Sequence, residues 1–255
     1  MKASEIYQAI DEMAPFSVHA SYDNPGFLIG DQNAEVTKVL LALDITVPVV
    51  QEAAQLGAEL IVSHHPVIFH PIRQLLAGSV CYELARSGIS AICAHTNLDV
   101  AHEGVNDMLA LTVGLSSPYE ILFDSENLPL GRIGNLPASM ELSTFAQQVK
   151  NRLNAAVVRF ADAHRPAYRV AVIGGACDIS DLDTAVKAGV DTLVTGDAKY
   201  HMFLQAAECG LNLIDAGHFA TENGIVPALA KRLKERFDPV EFVVSSVHRD
   251  IVESV

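Results

Sequence analysis

The feature that most narrows the possible folds is a rhythm of apolar strand, short helix and apolar strand that occurs twice. VTKVLLALDI (36–45) is a mainly apolar run of strand length, PVVQEAAQLGA (48–58) reads as a helix closed by Gly57, and ELIVS (59–63) is a second short strand. Connections this short make a βαβ unit, which implies a parallel pair with a right-handed crossover. RVAVIGGA (169–176), DLDTAVKAG (181–189) and VDTLVTG (190–196) repeat the pattern. At one constant offset Ala53 matches Ala185, Gly57 matches Gly189 and Val62 matches Val194. The glycine has a physical reason: a helix that ends in the left-handed conformation favours Gly just past its end. A further pair, SGISAICAH (87–95) and CGLNLIDAGH (209–218), extends the match. The chain thus reads as two copies of one α/β unit. Residues 1–115 form the first repeat and 141–255 the second, with the Pro- and Gly-containing stretch 116–140 as the linker.

Composition agrees with this class. Half of the 255 residues are apolar, only 6% are aromatic and there is no Trp. Ala, Val, Leu and Ile are the usual filling of helices packed on buried parallel strands. The formal net charge of −14 repels polyphosphate backbones and speaks against nucleic acid as a partner. A small anion is still compatible, because a local cation can overrule the global field. The four cysteines, Cys81, Cys93, Cys177 and Cys209, form no C-x-x-C pair and fit a reducing compartment. The amphipathic, partly acidic N-terminus is unlike a secretory signal, and no apolar stretch reaches the ~18 residues of a membrane span. A cytoplasmic location with no membrane partner is expected.

Ligands of open α/β sheets collect outside the carboxyl ends of the strands, and three such ends here carry imidazole. ELIVS is followed by His64-His65-Pro66, SAICA by His95 and then Asp99, and LNLIDAG by His218 and then Glu222. Neighbours on a regular strand point to opposite faces, but just past the strand, with Pro66 restricting His65, both imidazoles can turn to one cavity. His218 and Glu222, four apart, share a face if a helix begins at His218. Each element alone has an ordinary explanation. An HH dipeptide is usually incidental, a His-x-x-x-Glu pair is usually a surface pair, and a His at a strand end can be a buried, hydrogen-bonded one. Their recurrence at three strand ends is what points to metal.

Three His with two carboxylates exceed the three protein ligands of one catalytic zinc. They suit two ions roughly 3.5–4 Å apart, with a bridging water acidified toward neutral pH. Imidazole with carboxylate fits Zn, Fe, Mn, Co or Ni and disfavours Ca.

At these residues the sequence resembles the NGG-interacting-factor-like dimetal proteins, widely labelled GTP cyclohydrolase I type 2 homologues. The matching segments are DNPGFLIGD (23–31), IVSHHPVIF (61–69), HTNLDVAHEGVND (95–107), LVTGDAKYH (193–201) and AGHFATENG (216–224). The resemblance implies two intertwined, duplicated α/β repeats with mixed, mainly parallel sheets, and a dinuclear site in a ring-shaped homohexamer. Its ligands fall on His64, His65, Asp99, His218 and Glu222, and of these Asp99 and Glu222 are the candidate catalytic carboxylates. His95, Gly196, Asp197 and His201 match motif positions near the family's site and carry supporting roles. Family members with an extra domain between the halves have it where 116–140 stands here, too short a stretch to hold it.

Three functions follow as expectations. The first is a two-metal hydrolase of a small molecule, with GTP cyclohydrolase as the named instance: metal-bound hydroxide would attack a purine nucleotide. The second is a metal-dependent phosphoesterase. The third is a non-enzymatic metal-binding or interaction protein. No G-x-x-x-x-G-K-[ST] loop or basic cluster marks a triphosphate pocket, and Arg73 reads as a surface residue.

Overall fold

The computed structural model describes residues 1–254, the side chains at 117 and 118 apart. In chain order, the first segment holds α1 (Ala3–Met13), β1 (Gly26–Ile29), β2 (Lys38–Ala42), α2 (Val47–Leu56), β3 (Leu60–Ser63), α3 (Val80–Ser87), β4 (Ser90–Cys93) and α4 (Thr96–Val100). The second holds α5 (Val105–Val113), β5 (Ser116–Leu122), β6 (Gly131–Met140), α6 (Leu142–Leu153), β7 (Arg159–Ala161), β8 (Ala167–Ala176), α7 (Ile179–Lys187), β9 (Thr192–Gly196), α8 (Tyr200–Glu208), β10 (Asn212–Asp215) and α9 (His218–Glu222). The chain ends with α10 (Ile225–Arg236) and β11 (Glu241–Val244). Among the described residues no helix is long and apolar enough to cross a membrane.

Two compact units result, and the chain passes from the first to the second and back. One unit contains Met1–His102 and Ile225–Arg249; the other contains Glu103–Gly224 and the tail from Asp250.

The first unit is built on a sheet ordered β1-β4-β3-β2-β11, parallel except where β1 meets β4. Residues 39–42, 60–63 and 90–93 are all buried, as expected of strands covered on both faces. Leu40, Ile61 and Ala91 pack with Val49 and Ala53 of α2 and Leu84 of α3. The helix boundaries follow local chemistry. The Thr46 hydroxyl accepts a bond from Val49 N, and Gly57 closes α2 at φ 69°. α1 buries Ala3, Ile6, Ala9 and Ile10, the helically spaced positions ahead of Pro15.

The second unit carries a sheet ordered β5-β6-β8-β9-β10-β7. β8, β9 and β10 run parallel, while β5, β6 and β7 pair antiparallel to their neighbours. Phe145 and Val149 of α6 pack with Val170, Val172, Val194 and Ile214. The repeat alignment has a structural counterpart: Val62 lies in β3 and Val194 in β9, and Gly189, like Gly57, is left-handed at φ 70°.

The units do not follow the boundaries expected at 115 and 141. Residues 116–140 are not a linker; they contain β5 and β6, two strands of the second sheet. The Gly and Pro residues that suggest a loop have other reasons here. A Cβ on Gly131 would lie 3.0 Å from Val172 O, so β6 needs glycine to approach β8. Pro137 sits where the β6–β8 register shifts, between Asn135 and Met140. Residues 225–249 belong to the first unit, because β11 pairs in parallel with the edge of β2, Glu241 opposite Lys38.

Candidate metal centre

In the first unit the donors sit at the ends of β3 and β4. His64 N and His65 N both donate to Leu43 O, at 3.2 and 2.9 Å, so the chain leaves the strand ladder and the two imidazoles no longer alternate. Their rings lie 5.0 Å apart, and the His95 ring lies 5.1 Å from His64 and 5.5 Å from His65. One ring nitrogen from each of the three lies within 4.8 Å of the others. Asp99 is on α4, whose first turn is closed by Asp99 N donating to His95 O at 3.0 Å. Its Oδ1 stands 3.6 Å from His64 Nε2, and both residues are buried.

Each imidazole is held through Nδ1 by a group that can only accept. His64 donates to Ala94 O at 2.8 Å, His65 to Asp44 Oδ1 at 2.7 Å, and His95 to Asp23 Oδ1 at 2.8 Å. The proton therefore resides on Nδ1, and in the neutral ring the lone pair is on Nε2. Burial pushes the Asp23 carboxyl up. The hydrogen bond and charge of His95, with the hydroxyl and N–H of Thr96, outweigh it and hold the pKa at about 2. Asp23 is thus an ionised acceptor at neutral pH.

In the second unit His218 opens α9 directly after Gly217, and Glu222 follows one turn later. His218 Nε2 is 3.2 Å from Glu222 Oε2, and Glu222 is only 3% exposed. Asp197, just past β9, accepts from His218 Nδ1 at 2.8 Å. The same fixed tautomer results, with the lone pair of Nε2 directed at a carboxylate. Glycines make room for this pair. A Cβ on Gly175 would lie 2.1 Å from Glu222 Oε1, and one on Gly196 would lie 2.7 Å from His218 N. Gly175 N is held by Thr221 Oγ1 at 3.0 Å.

The sequence-predicted donors are thus found in two sets, His64, His65 and Asp99 in one unit and His218 and Glu222 in the other. His95 joins the first set and Asp197 the second. His201 does not join a set within its unit; it is exposed on α8, beside a cleft lined also by Cys177 and Lys199. Sequence reasoning missed Asp23, Asp44 and Gly175. Asp44 follows β2 as the histidines follow β3 and β4, and Gly174-Gly175 is a strand-end glycine pair, so both carried a positional signal. The grouping of His64, His65 and His95 could hold a metal ion. The chemistry of the donors fits one: a lone-pair nitrogen facing a carboxylate oxygen is a site for a cation, and an Nδ1–H bound to carboxylate or carbonyl is the usual support of a ligating imidazole.

Residues 1–251 match the Duf34/NIF3 (NGG1p interacting factor 3) family. A Clostridium perfringens protein named GTP cyclohydrolase 1 type 2 homolog is 33% identical over the full length of both chains. A hypothetical protein of Staphylococcus aureus with a solved crystal structure superimposes at TM-score 0.92 with 32% identity, covering 100% of this chain and 99% of its own. A Bacillus cereus protein related to NIF3 gives TM-score 0.93 at 26% identity, with coverage of 100% and 99%. With the family model matching nearly the whole sequence and the relatives agreeing in sequence and fold, the chain belongs to the Duf34/NIF3 family.

Proposed function

We propose that the protein is a metal-dependent hydrolase in which His64, His65, Asp99, His218 and Glu222 together hold two divalent ions of the Zn, Fe, Mn, Co or Ni group. The observation that carries this reading is the anchoring of the imidazoles. His64, His65 and His218 each spend Nδ1 on an acceptor-only partner, which reserves Nε2 for a cation.

When bound, the ions supply Lewis-acid polarisation of a substrate oxygen and activation of water. The chain's own residues do the rest. Asp44 and Asp197 orient His65 and His218 and raise their basicity. Asp99 and Glu222, buried carboxylates, are the groups placed to neutralise cationic charge and to accept a proton from water. Gly175 and Gly196 keep the backbone close to Glu222 and His218 without displacing them.

The proposed substrate is a small molecule. The shared name GTP cyclohydrolase 1 type 2 homolog of relatives from Clostridium perfringens and Clostridium acetobutylicum favours a purine nucleotide. A homohexamer in the cytoplasm is part of the same proposal. The test is metal-loaded protein incubated with GTP and with a panel of phosphate esters, products read by mass spectrometry, beside His64→Ala. Ring-opened product that vanishes in the variant supports cyclohydrolase chemistry. Phosphate release that vanishes assigns a phosphoesterase. No turnover of any substrate by protein loaded with two ions refutes the hydrolase reading.

A further inference from the structure

A line of aromatic rings leads from the first donor set to the surface, and the functional reading above does not use its outer part. Phe69 lies 6.2 Å from His95, edge on, and Tyr22 lies 6.4 Å from Phe69 at 37°. Tyr22 is 63% exposed, whereas large aromatic side chains of a fold normally bury most of their area, and Phe69 keeps 37% of its surface exposed.

Both rings stand on anchored backbone. Tyr22 precedes Asp23, which holds His95 and accepts from Thr96 N at 3.0 Å. Phe69 follows Ile68, whose carbonyl accepts from Asn24 Nδ2 at 2.6 Å. The segment before β1 and the segment after His65 are thereby tied together, and the two aromatic side chains are presented from one edge of the histidine cluster.

We propose that Tyr22 and Phe69 are specificity-determining residues that stack a planar heteroaromatic ring of the substrate, a nucleobase, next to the metal donors. The proposal rests on the metal-site reading for the location of the chemistry, and on these two rings for the substrate class. Part of the surface of both residues is exposed, which a third ring could cover. Phe69 itself stands 6.2 Å from His95, whose ring lies 5.1 Å from His64 and 5.5 Å from His65. An aliphatic phosphoester would gain nothing from such a wall, while every base has a π face that can use it.

The test is calorimetric titration of the full-length, metal-loaded protein with guanosine, adenosine and cytidine, and with ribose 5-phosphate as the non-aromatic probe. Nucleosides should bind and ribose 5-phosphate should not compete with them. Phe69→Leu and Tyr22→Leu should each weaken nucleoside binding by about tenfold, Tyr22→Phe should retain it, and the metal content of all three should equal that of the wild type. The proposal is overturned if no nucleoside binds, or if both leucine variants bind as tightly as the wild type. It is also overturned if the variants change only the mass measured by light scattering, since the exposed rings are then a subunit contact, as exposed Ile72, Leu75 and Leu76 nearby would suit. A low metal content in the wild type counts against the metal reading alone, because nucleoside binding and its loss in Phe69→Leu are read independently of it.

Discussion

Replacing Asp197 by Asn tests the logic of the donor sets with minimal change of shape. Asp197 accepts from His218 Nδ1 at 2.8 Å and sits at φ 50°, a conformation that Asn tolerates well. The fold should therefore survive, and thermal unfolding of the metal-free protein should be unchanged. The amide can still accept through its oxygen, but it lacks the charge, and its NH₂ can donate to Nδ1 and move the imidazole proton to Nε2. Removing such a partner typically lowers metal affinity about 10- to 100-fold, or about 1.4–2.7 kcal/mol. The Asp197 side chain is 59% exposed, so water can replace part of its role and the lower end, about tenfold, is expected. Competition against a chromophoric chelator at pH 7.5 measures ions per chain and their affinities. One ion should weaken while the other is retained. Unchanged affinity for both ions in Asp197→Asn would refute the claim that the anchored tautomer serves metal binding.

Two further outcomes follow from the second unit. Gly175→Ala places a Cβ 2.1 Å from Glu222 Oε1 at φ 65°, so the variant should lose about 1–3 kcal/mol of stability and release metal more readily; urea unfolding and elemental analysis check both, and wild-type values in both would contradict the cradle. Asp181 is pushed up to about 6, first by burial and then by the charges of Asp178 and Asp124, against the opposing bond from Asp178 N. A carboxyl with a raised folded-state pKa binds its proton more tightly than the unfolded chain, so its contribution to stability falls as pH rises from about 4 to about 6. Asp181→Asn keeps an acceptor for Asp178 N and removes the ionisation. The ceiling on its gain above pH 6 is about 3 kcal/mol, which screening reduces to an expected gain of about 1 kcal/mol. Urea melts at pH 7.5 and 4.5 should show the gain only at the higher pH; equal gains at both would sink the assignment.

Much of the site was legible because its signals are local. His64-His65 sits where a strand ends, and that end can be read from ELIVS alone. The contact between His218 and Glu222 is an i,i+4 relation that any helix starting there produces. Gly57 and Gly189 are left-handed for a reason contained in one helix end. Asp99, four residues past His95 at another strand end, is read from the same kind of local spacing.

What stayed hidden depends on which strands become neighbours. Asp44 reaches His65 because β2 and β3 are parallel neighbours whose ends lie side by side, and Asp197 reaches His218 because β9 and β10 are. Asp23 and His95 are brought together from 72 positions apart by the pairing of β1 with β4. The stretch 116–140 looks like a linker until Gly131 is seen against Val172, and nothing local to residues 225–249 says that their strand completes the sheet begun by β2. The sequence by itself determined the period of each element, its caps and the donor chemistry at each strand end, since these follow from contiguous residues. Tertiary structure alone decided strand order, the partners of each imidazole and the glycine cradle, since edges and Nδ1 partners are chosen among segments tens of residues away by burial and hydrogen-bond satisfaction.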